Sequence, residues 1–433
     1  MSYIPALYQL FLKHGSVTTD SRQAGRGVIF FALRGERFNG NDFALQALAA
    51  GSPCAVVDDP ALKGTPGIFC VDEVLLALQR LASFHRRQLG IPILAITGTN
   101  GKTTTKELIH AVLSQEFPVC ATPGNLNNHI GVPLTLLSMD ASTRIGIVEM
   151  GANHPGEIAR LCEIATPTHG LITNIGKAHL EGFGGFEGVV RTKNELYLAL
   201  DAPGSTLFVN GANPLLMGLL AHSKASLVTY GNHRQSLCNL SETESAPFLT
   251  ATWNQHTLRT SMAGGYNLEN MEAACAVGLH FGISEAKIVA AISGYKPQNS
   301  RSQWVETARN RVLCDYYNAN PSSMSIALDH FFRLEIPLGM QKRVLLGDMF
   351  ELGDATAQEH SRVIDMLGSH PEVEAWLAGV YFSQALSDPW SHIRAFSDTE
   401  AMVRAMNIEP FTQSVVLIKG SRGMRMEQLM PHL

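Results

Sequence analysis

One stretch constrains the fold of this chain more than any other: Thr97-Gly-Thr-Asn-Gly-Lys-Thr-Thr-Thr105. The apolar run Ile93-Leu-Ala-Ile96 precedes it, and Leu108, Ile109, Val112 and Leu113 follow at helical spacing. A buried strand that passes through a glycine-rich loop into a helix is the setting of a phosphate-binding loop. Gly98 and Gly101 let the backbone N–H groups of the loop, Thr99 and Asn100 included, turn inward. The helix N-terminus adds partial positive charge. Lys102 can then reach the β- and γ-phosphates, and the Thr103 hydroxyl can hold Mg²⁺. The spacing is shorter than the common G-x-x-x-x-G-K-[ST], so the loop is a variant. A plain glycine-rich turn at a helix start is the alternative.

Further apolar runs, Ile145–Val148, Leu171–Thr173, Leu207–Val209, Val312–Cys314, Val344–Leu346 and Val415–Ile418, read as short buried strands with helical patterns between many of them. Strands alternating with helices predict α/β architecture with parallel sheets. Ligands of such sheets lie beyond the carboxyl ends of the strands. There the sequence places Glu149, Asn174, Asp315, Asp348 and Lys419. With 433 residues, about three domains are expected. We read them as a small α/β unit at 1–84, a central unit with the phosphate loop at 85–300, and a last α/β unit at 301–433. The polar segment 232–258 reads as a hairpin excursion.

Composition narrows the function. A charged fraction of 16% and a hydrophobic fraction of 45% describe a globular chain. The net charge of −5 gives no basic excess for general nucleic-acid binding. No apolar run reaches the ~18 residues of a membrane span, and the N-terminus carries no secretory pattern. Seven scattered cysteines without a CxxC fit free thiols in a reducing cytoplasm. No coiled-coil pattern appears, so a monomer is expected.

Other motifs carry chemistry of their own. Glu149, leaving a strand end, is a natural second hard ligand for Mg²⁺, with a capping or solvated glutamate as the alternative. His179 lies in a polar, glycine-flanked loop, where a ligand role is open to it. Lys193 sits on a helical pattern, and the residues alone make it an ordinary lysine. Asn267 and Asn270 stand at a helix start, where paired amides either cap the helix or read a nucleobase edge.

Taken in order, these motifs resemble the ATP-dependent Mur ligases of peptidoglycan synthesis. The resemblance is carried by Asp20-Ser-Arg22, Phe30 to Gly40, Thr97 to Glu107, Asn125 to Pro133, Glu149 to Glu157, Ile172 to Tyr197, Asp315-Tyr-Tyr-Asn-Ala-Asn-Pro321, Gly347-Asp-Met-Phe-Glu-Leu-Gly353 and Lys419-Gly-Ser-Arg-Gly423. The last three segments point to the members that add D-alanyl-D-alanine.

The resemblance implies three domains: a UDP-substrate domain, a central ATP-binding domain of P-loop type, and a Rossmann-like domain that brings the dipeptide. It implies an ADP-forming ligase that joins D-alanyl-D-alanine to UDP-N-acetylmuramoyl-tripeptide. Site roles follow from it as well. Ser21 and Arg22 lie near the uridine nucleotide. Lys102, Thr103 and Thr104 hold phosphates and Mg²⁺. Glu149 takes a first Mg²⁺. His179 takes a second, supported by Lys193 as a carbamylated lysine. Asn267 meets adenine, Asp315 the ribose and Arg301 the γ-phosphate, while Asn318 and Asn320 lie where dipeptide and acyl group meet. The chain departs from the pattern at Tyr266, where relatives often have histidine. Two rival readings remain at this stage: a related ligase that adds single amino acids or extends folates, and a nucleotide switch that joins nothing.

Overall fold

A computed structural model describes residues 3–244, 247–386 and 390–433. Among the described residues three sheets of mainly parallel strands carry the chain. The first has the order Ser16–Thr18, Val28–Phe31, Ala55–Val57, Ile68–Cys70, all parallel. The helix Val74–Leu89 leaves this unit and passes through residue 84 into the next. Its apolar face explains why it does not stop. Leu78 and Leu81 pack with Leu7, Phe11 and Ile29 of the first unit and with Val132, Leu136 and Leu161 of the second, in one continuous core. Its buried polar groups find partners across the same seam. Arg86 donates to the carbonyls of Ala165 and Thr166, and the His85 ring meets the Met139 carbonyl at 2.8 Å.

The central sheet runs Ser226–Tyr230, Thr206–Asn210, His169–Ile172, Ile93–Thr97, Ile145–Glu149, Val119–Ala121, again all parallel. Ile93–Thr97 and Ile145–Glu149 are buried along their whole length, as expected of strands covered by helices on both faces. From Ile93–Thr97 the chain turns first to one side of the sheet and later to the other. The loop after this strand therefore opens at the switch point where such sheets bind ligands. The hairpin expected in 232–258 forms from Thr250–Trp253 and His256–Arg259, and Ser241–Glu244 adds a third antiparallel strand to it. Residues 245 and 246 of that segment lie outside the described residues.

The third sheet orders Gln303–Glu306, Asn310–Cys314, Ser414–Lys419, Gln341–Gly347, Val373–Ala378, Ile393–Phe396. Only the first pairing is antiparallel. This unit has cores of its own around Phe331, Leu346 and Leu377 and around Trp376, Val416 and Leu429. The seven strands expected from apolar runs all form, and the α/β class holds.

Candidate active site

The carboxyl ends of the central and third sheets face each other across a cleft of about 1260 Å³. Gly98, Thr99, Asn100, Gly101, Lys102, Thr104, Glu149, His179, Lys193, Asn267, Arg301, Asp315, Asn318 and Asn320 all line it. Ser21 and Arg22 do not. They sit on a short turn of the first unit, where Asp20 accepts from the Arg22 backbone and holds its guanidinium through three bonds of 2.9, 3.2 and 2.7 Å. That pairing lowers the Asp20 carboxyl to about 2.

The loop geometry follows from its glycines. Gly98 has φ 143° and Gly101 φ 79°, and both are crowded. A Cβ on Gly98 would lie 2.0 Å from Thr173 Oγ1, and one on Gly101 2.5 Å from Asn270 Oδ1. The end of the neighbouring strand pins the loop. Asn174 accepts from Thr99 N through its carbonyl and from Asn100 N through its side chain, at 2.9 and 3.0 Å. Thr173 Oγ1 donates to the Asn100 carbonyl at 2.6 Å. The Lys102 ammonium donates to the carbonyls of Gly98 and Thr99 at 2.8 and 2.9 Å. Desolvation lowers its pKa to about 8, with Glu149 opposing and Arg301 adding to the fall.

Thr103 and Glu149 form a buried oxygen pair, the hydroxyl donating to Glu149 Oε2 at 2.9 Å. Asn127 donates to the other carboxylate oxygen at 2.8 Å, and Lys106 Nζ lies 3.7 Å from Oε2. Among the described residues no three His, Cys, Asp or Glu side chains converge as a metal cage. Two hard oxygens beside a phosphate loop still suit Mg²⁺, which keeps waters and takes phosphate oxygens as ligands. His179, in left-handed backbone at φ 50°, is engaged by the Glu351 carboxylate of the third unit. Lys193 is buried, and its Nζ sits 5.5 Å from the Phe183 ring centroid. Burial, reinforced by the Lys102 charge, lowers the Lys193 pKa to about 7. A neutral amine is therefore present near neutral pH, which a carbamate requires.

The third unit supplies the far wall. Arg301 stacks on Tyr317, its Cζ 3.9 Å from the ring centroid, and its buried Nε has no hydrogen-bond partner among the described residues. Ser300 and Ser302 on either side of it adopt left-handed backbone, at φ 55° and 52°. An orphaned guanidinium donor held by its neighbours in this way suits an anion. Asp315 is paired with Lys419 Nζ at 2.5 Å and accepts from Ser302 N at 3.2 Å. Asn320 caps the helix Pro321–Arg333 and also donates to Asn100 Oδ1 of the phosphate loop at 2.8 Å. Asn267 is buried, donating to the Ala263 carbonyl and accepting from Asn270, which in turn accepts from Thr105. Its amide thus links the wall of the cleft at Ala263 to the helix behind the loop.

Asp348 stands apart from the other strand-end residues. Its carboxylate accepts from the backbone of Tyr381 and Phe382, both at 3.0 Å, and so caps the helix Val380–Ala385. Reading residues alone gave no role to Asn127, Lys106, Tyr317 or Glu351. Their partners lie far off in sequence, so no local pattern marks them.

Sequence comparisons agree with this architecture. Models described as Mur ligase family catalytic domain, Mur ligase middle domain and Mur ligase glutamate ligase domain match residues 14–93, 96–278 and 300–422. The chain belongs to the Mur ligase family, as its motifs led us to expect. The similar curated proteins carry a narrower name. A UDP-N-acetylmuramoyl-tripeptide–D-alanyl-D-alanine ligase of Bacillus subtilis is 34% identical over 98% of this chain and 94% of its own length. The Escherichia coli protein of that name is 32% identical, with 96% and 92% covered. Among solved structures, a MurF crystal structure from Acinetobacter baumannii aligns with a TM-score of 0.86 at 32% identity, covering 96% and 92% of the two chains. A MurF ligase from Thermotoga maritima in complex with ADP aligns at 0.84 with 25% identity, covering 96% of each.

Proposed function

We propose that this protein is an ATP-dependent ligase that joins D-alanyl-D-alanine to UDP-N-acetylmuramoyl-tripeptide, forming the muramoyl-pentapeptide nucleotide with ADP and phosphate. The observation that carries the reading is the meeting in one cleft of Lys102 on the phosphate loop with Arg301 of another unit, whose Nε is unpaired among the described residues. A carboxylate is a poor acyl donor because oxide would have to leave. The tripeptide carboxylate therefore attacks the γ-phosphate of ATP, giving an acyl phosphate and ADP. The dipeptide amine then attacks the acyl carbon, and phosphate leaves.

In the first step two anions approach each other. Lys102 and Arg301 stand on opposite walls to offset that repulsion. Thr103 and Glu149 would hold one Mg²⁺, and His179 with a carbamylated Lys193 a second. These ions would neutralise charge on the phosphate oxygens. An uncarbamylated, protonated Lys193 would repel a cation at that point. Asn267 is proposed to meet adenine, Asp315 the ribose, and Asn318 and Asn320 the reacting ends of the two peptides. Ser21 and Arg22 would meet the uridine end, outside the cleft, as a long substrate demands. The units proposed for these tasks are 1–84, 85–300 and 301–433. Closure of the third unit excludes water, which would otherwise hydrolyse the acyl phosphate.

Five of the seven cysteines are buried and all are free, which fits a reducing cytoplasm, our proposed location. No described helix is long and apolar enough to cross a membrane. A monomer suffices for the chemistry, since one chain supplies both walls of the cleft.

The test is phosphate release with ATP, Mg²⁺, the tripeptide nucleotide and D-alanyl-D-alanine, omitting each in turn. Release that needs both organic substrates, with a product heavier by the dipeptide residue mass, supports the ligase. Equal release without them reduces the protein to an ATPase. Coupling of single amino acids only would make it a ligase of another step. With ¹³C-bicarbonate, a carbamate signal at pH 8 that disappears in Lys193→Arg is expected; its absence from the wild type removes the carbamate.

A further inference from the structure

We propose that Arg422 is the subsite for the carboxylate of the incoming dipeptide, an assignment that rests on the ligase reading above. The dipeptide carries an amine at one end and a carboxylate at the other. The amine must reach the acyl phosphate, between Lys102 and Arg301. The carboxylate is repelled from that end by phosphate and must be held elsewhere by a cation.

The cleft offers few free cations. Lys102 is bonded to two loop carbonyls, and Lys193 is buried on the central helix Phe186–Ala199. Arg160 donates to Gln79 at 3.1 Å, on the side of the first unit. Lys419 is bound to Asp315 at 2.5 Å. Arg301 is assigned to the γ-phosphate in the ligase reading. Arg422 differs from all of these. It follows the strand Ser414–Lys419 at its carboxyl end and lines the cleft beside Asn318. Its backbone N donates to Asn318 Oδ1 at 3.4 Å, whereas its guanidinium makes no hydrogen bond among the described residues. The nearest carboxylate, Glu427, is 4.0 Å away, and the Arg422 side chain is 64% exposed.

Distance supports the pairing of ends. Arg301 and Arg422 lie over the same ring, 3.9 and 5.8 Å from the Tyr317 centroid. They are thus within about 10 Å of each other, and an extended dipeptide spans about 7 Å. A dipeptide lying across Tyr317 puts its amine at the Arg301 end and its carboxylate on Arg422. A guanidinium binds a carboxylate through two parallel hydrogen bonds, which fixes direction as well as affinity.

The test uses the full chain in steady-state phosphate release, with D-alanyl-D-alanine compared against its C-terminal carboxamide. The wild type is expected to prefer the acid. Arg422→Ala should raise KM for the dipeptide at least about tenfold. KM for ATP and for the tripeptide nucleotide should stay within about twofold, and the preference for acid over amide should collapse. Arg422→Lys, which keeps the charge but not the fork, should recover part of that preference, and it stands in if the alanine variant folds poorly. An Arg422→Ala enzyme that keeps the full preference, or whose loss falls on KM for ATP, overturns the assignment. A wild type indifferent to the dipeptide overturns the ligase reading itself, and this subsite with it.

Discussion

At the scale of single residues, burial decides which charges the fold tolerates. Glu272, on the helix Leu268–His280, is buried and accepts from Leu240 N at 2.9 Å. Desolvation raises its pKa to about 7; the Leu240 bond lowers it and Glu269 raises it. The sign of the linkage follows. Between pH 4.5 and 7 the folded state binds more protons than the unfolded state, so stability falls as pH rises through that window. Above pH 7 the cost is complete, on the order of 3 kcal/mol. Glu272→Gln keeps a carbonyl acceptor for Leu240 and carries no charge. It should therefore raise the melting temperature at pH 8 and leave it nearly unchanged at pH 4.5. Denaturation curves at the two pH values check this, and an equal shift at both would mean that charge is not the cause.

At the scale of elements, what the sequence reveals depends on how locally a feature is built. Ile93–Thr97 and Ser414–Lys419 are buried throughout and read as unbroken apolar runs. Val373–Ala378 does not read as an apolar run because Glu374 interrupts it; in the fold that carboxylate pairs with Arg343 at 3.0 Å and accepts from Trp376 Nε1. Val119–Ala121 is a half-buried edge strand of three residues, too short to show a period. The phosphate loop was legible because strand, glycines, lysine and helix are contiguous. The contact of Asn320 with Asn100 spans more than half the chain, and residues alone could not join them. Asp348 stands at a strand end as Glu149 and Asp315 do, yet its carboxylate caps a helix, a difference set by partners more than thirty residues away. The loop's own demand is testable. Gly98→Ala forces Thr173 aside and breaks its bond to the Asn100 carbonyl. Strained backbone at such a site costs about 1–3 kcal/mol. Titration calorimetry should find ATP binding weakened at least about tenfold, which is 1.4 kcal/mol. Gly218→Ala, in the helix Pro214–Leu219 with nothing within 4 Å of its added Cβ and no positive φ, is the control that should bind ATP normally.

At the scale of the whole molecule, the first two units share a core, whereas the third meets the central unit mainly through polar contacts. Lys177 N donates to Ser322 Oγ at 2.9 Å, and Lys177 Nζ pairs with Glu359 at 2.6 Å. His179 meets Glu351, and Asn100 meets Asn320. The ion pair is lopsided: the Lys177 side chain is 46% exposed and that of Glu359 only 4%. Removing the lysine strands a buried carboxylate, and removing one partner of a buried pair costs about 3–5 kcal/mol if nothing moves. The third unit has its own cores, so the molecule has a cheaper response than unfolding. It can swing open and hydrate Glu359. Lys177→Ala should therefore increase the radius of gyration in solution scattering while the main unfolding transition stays close to that of the wild type. Lys177→Ala with Glu359→Ala leaves no stranded charge and should open less than Lys177→Ala alone. ATP with the tripeptide nucleotide should close both variants, because phosphate then bridges Lys102 and Arg301. A lysine variant that stays compact and loses stability instead would mean that the seam is rigid, and closure could not be what assembles the site.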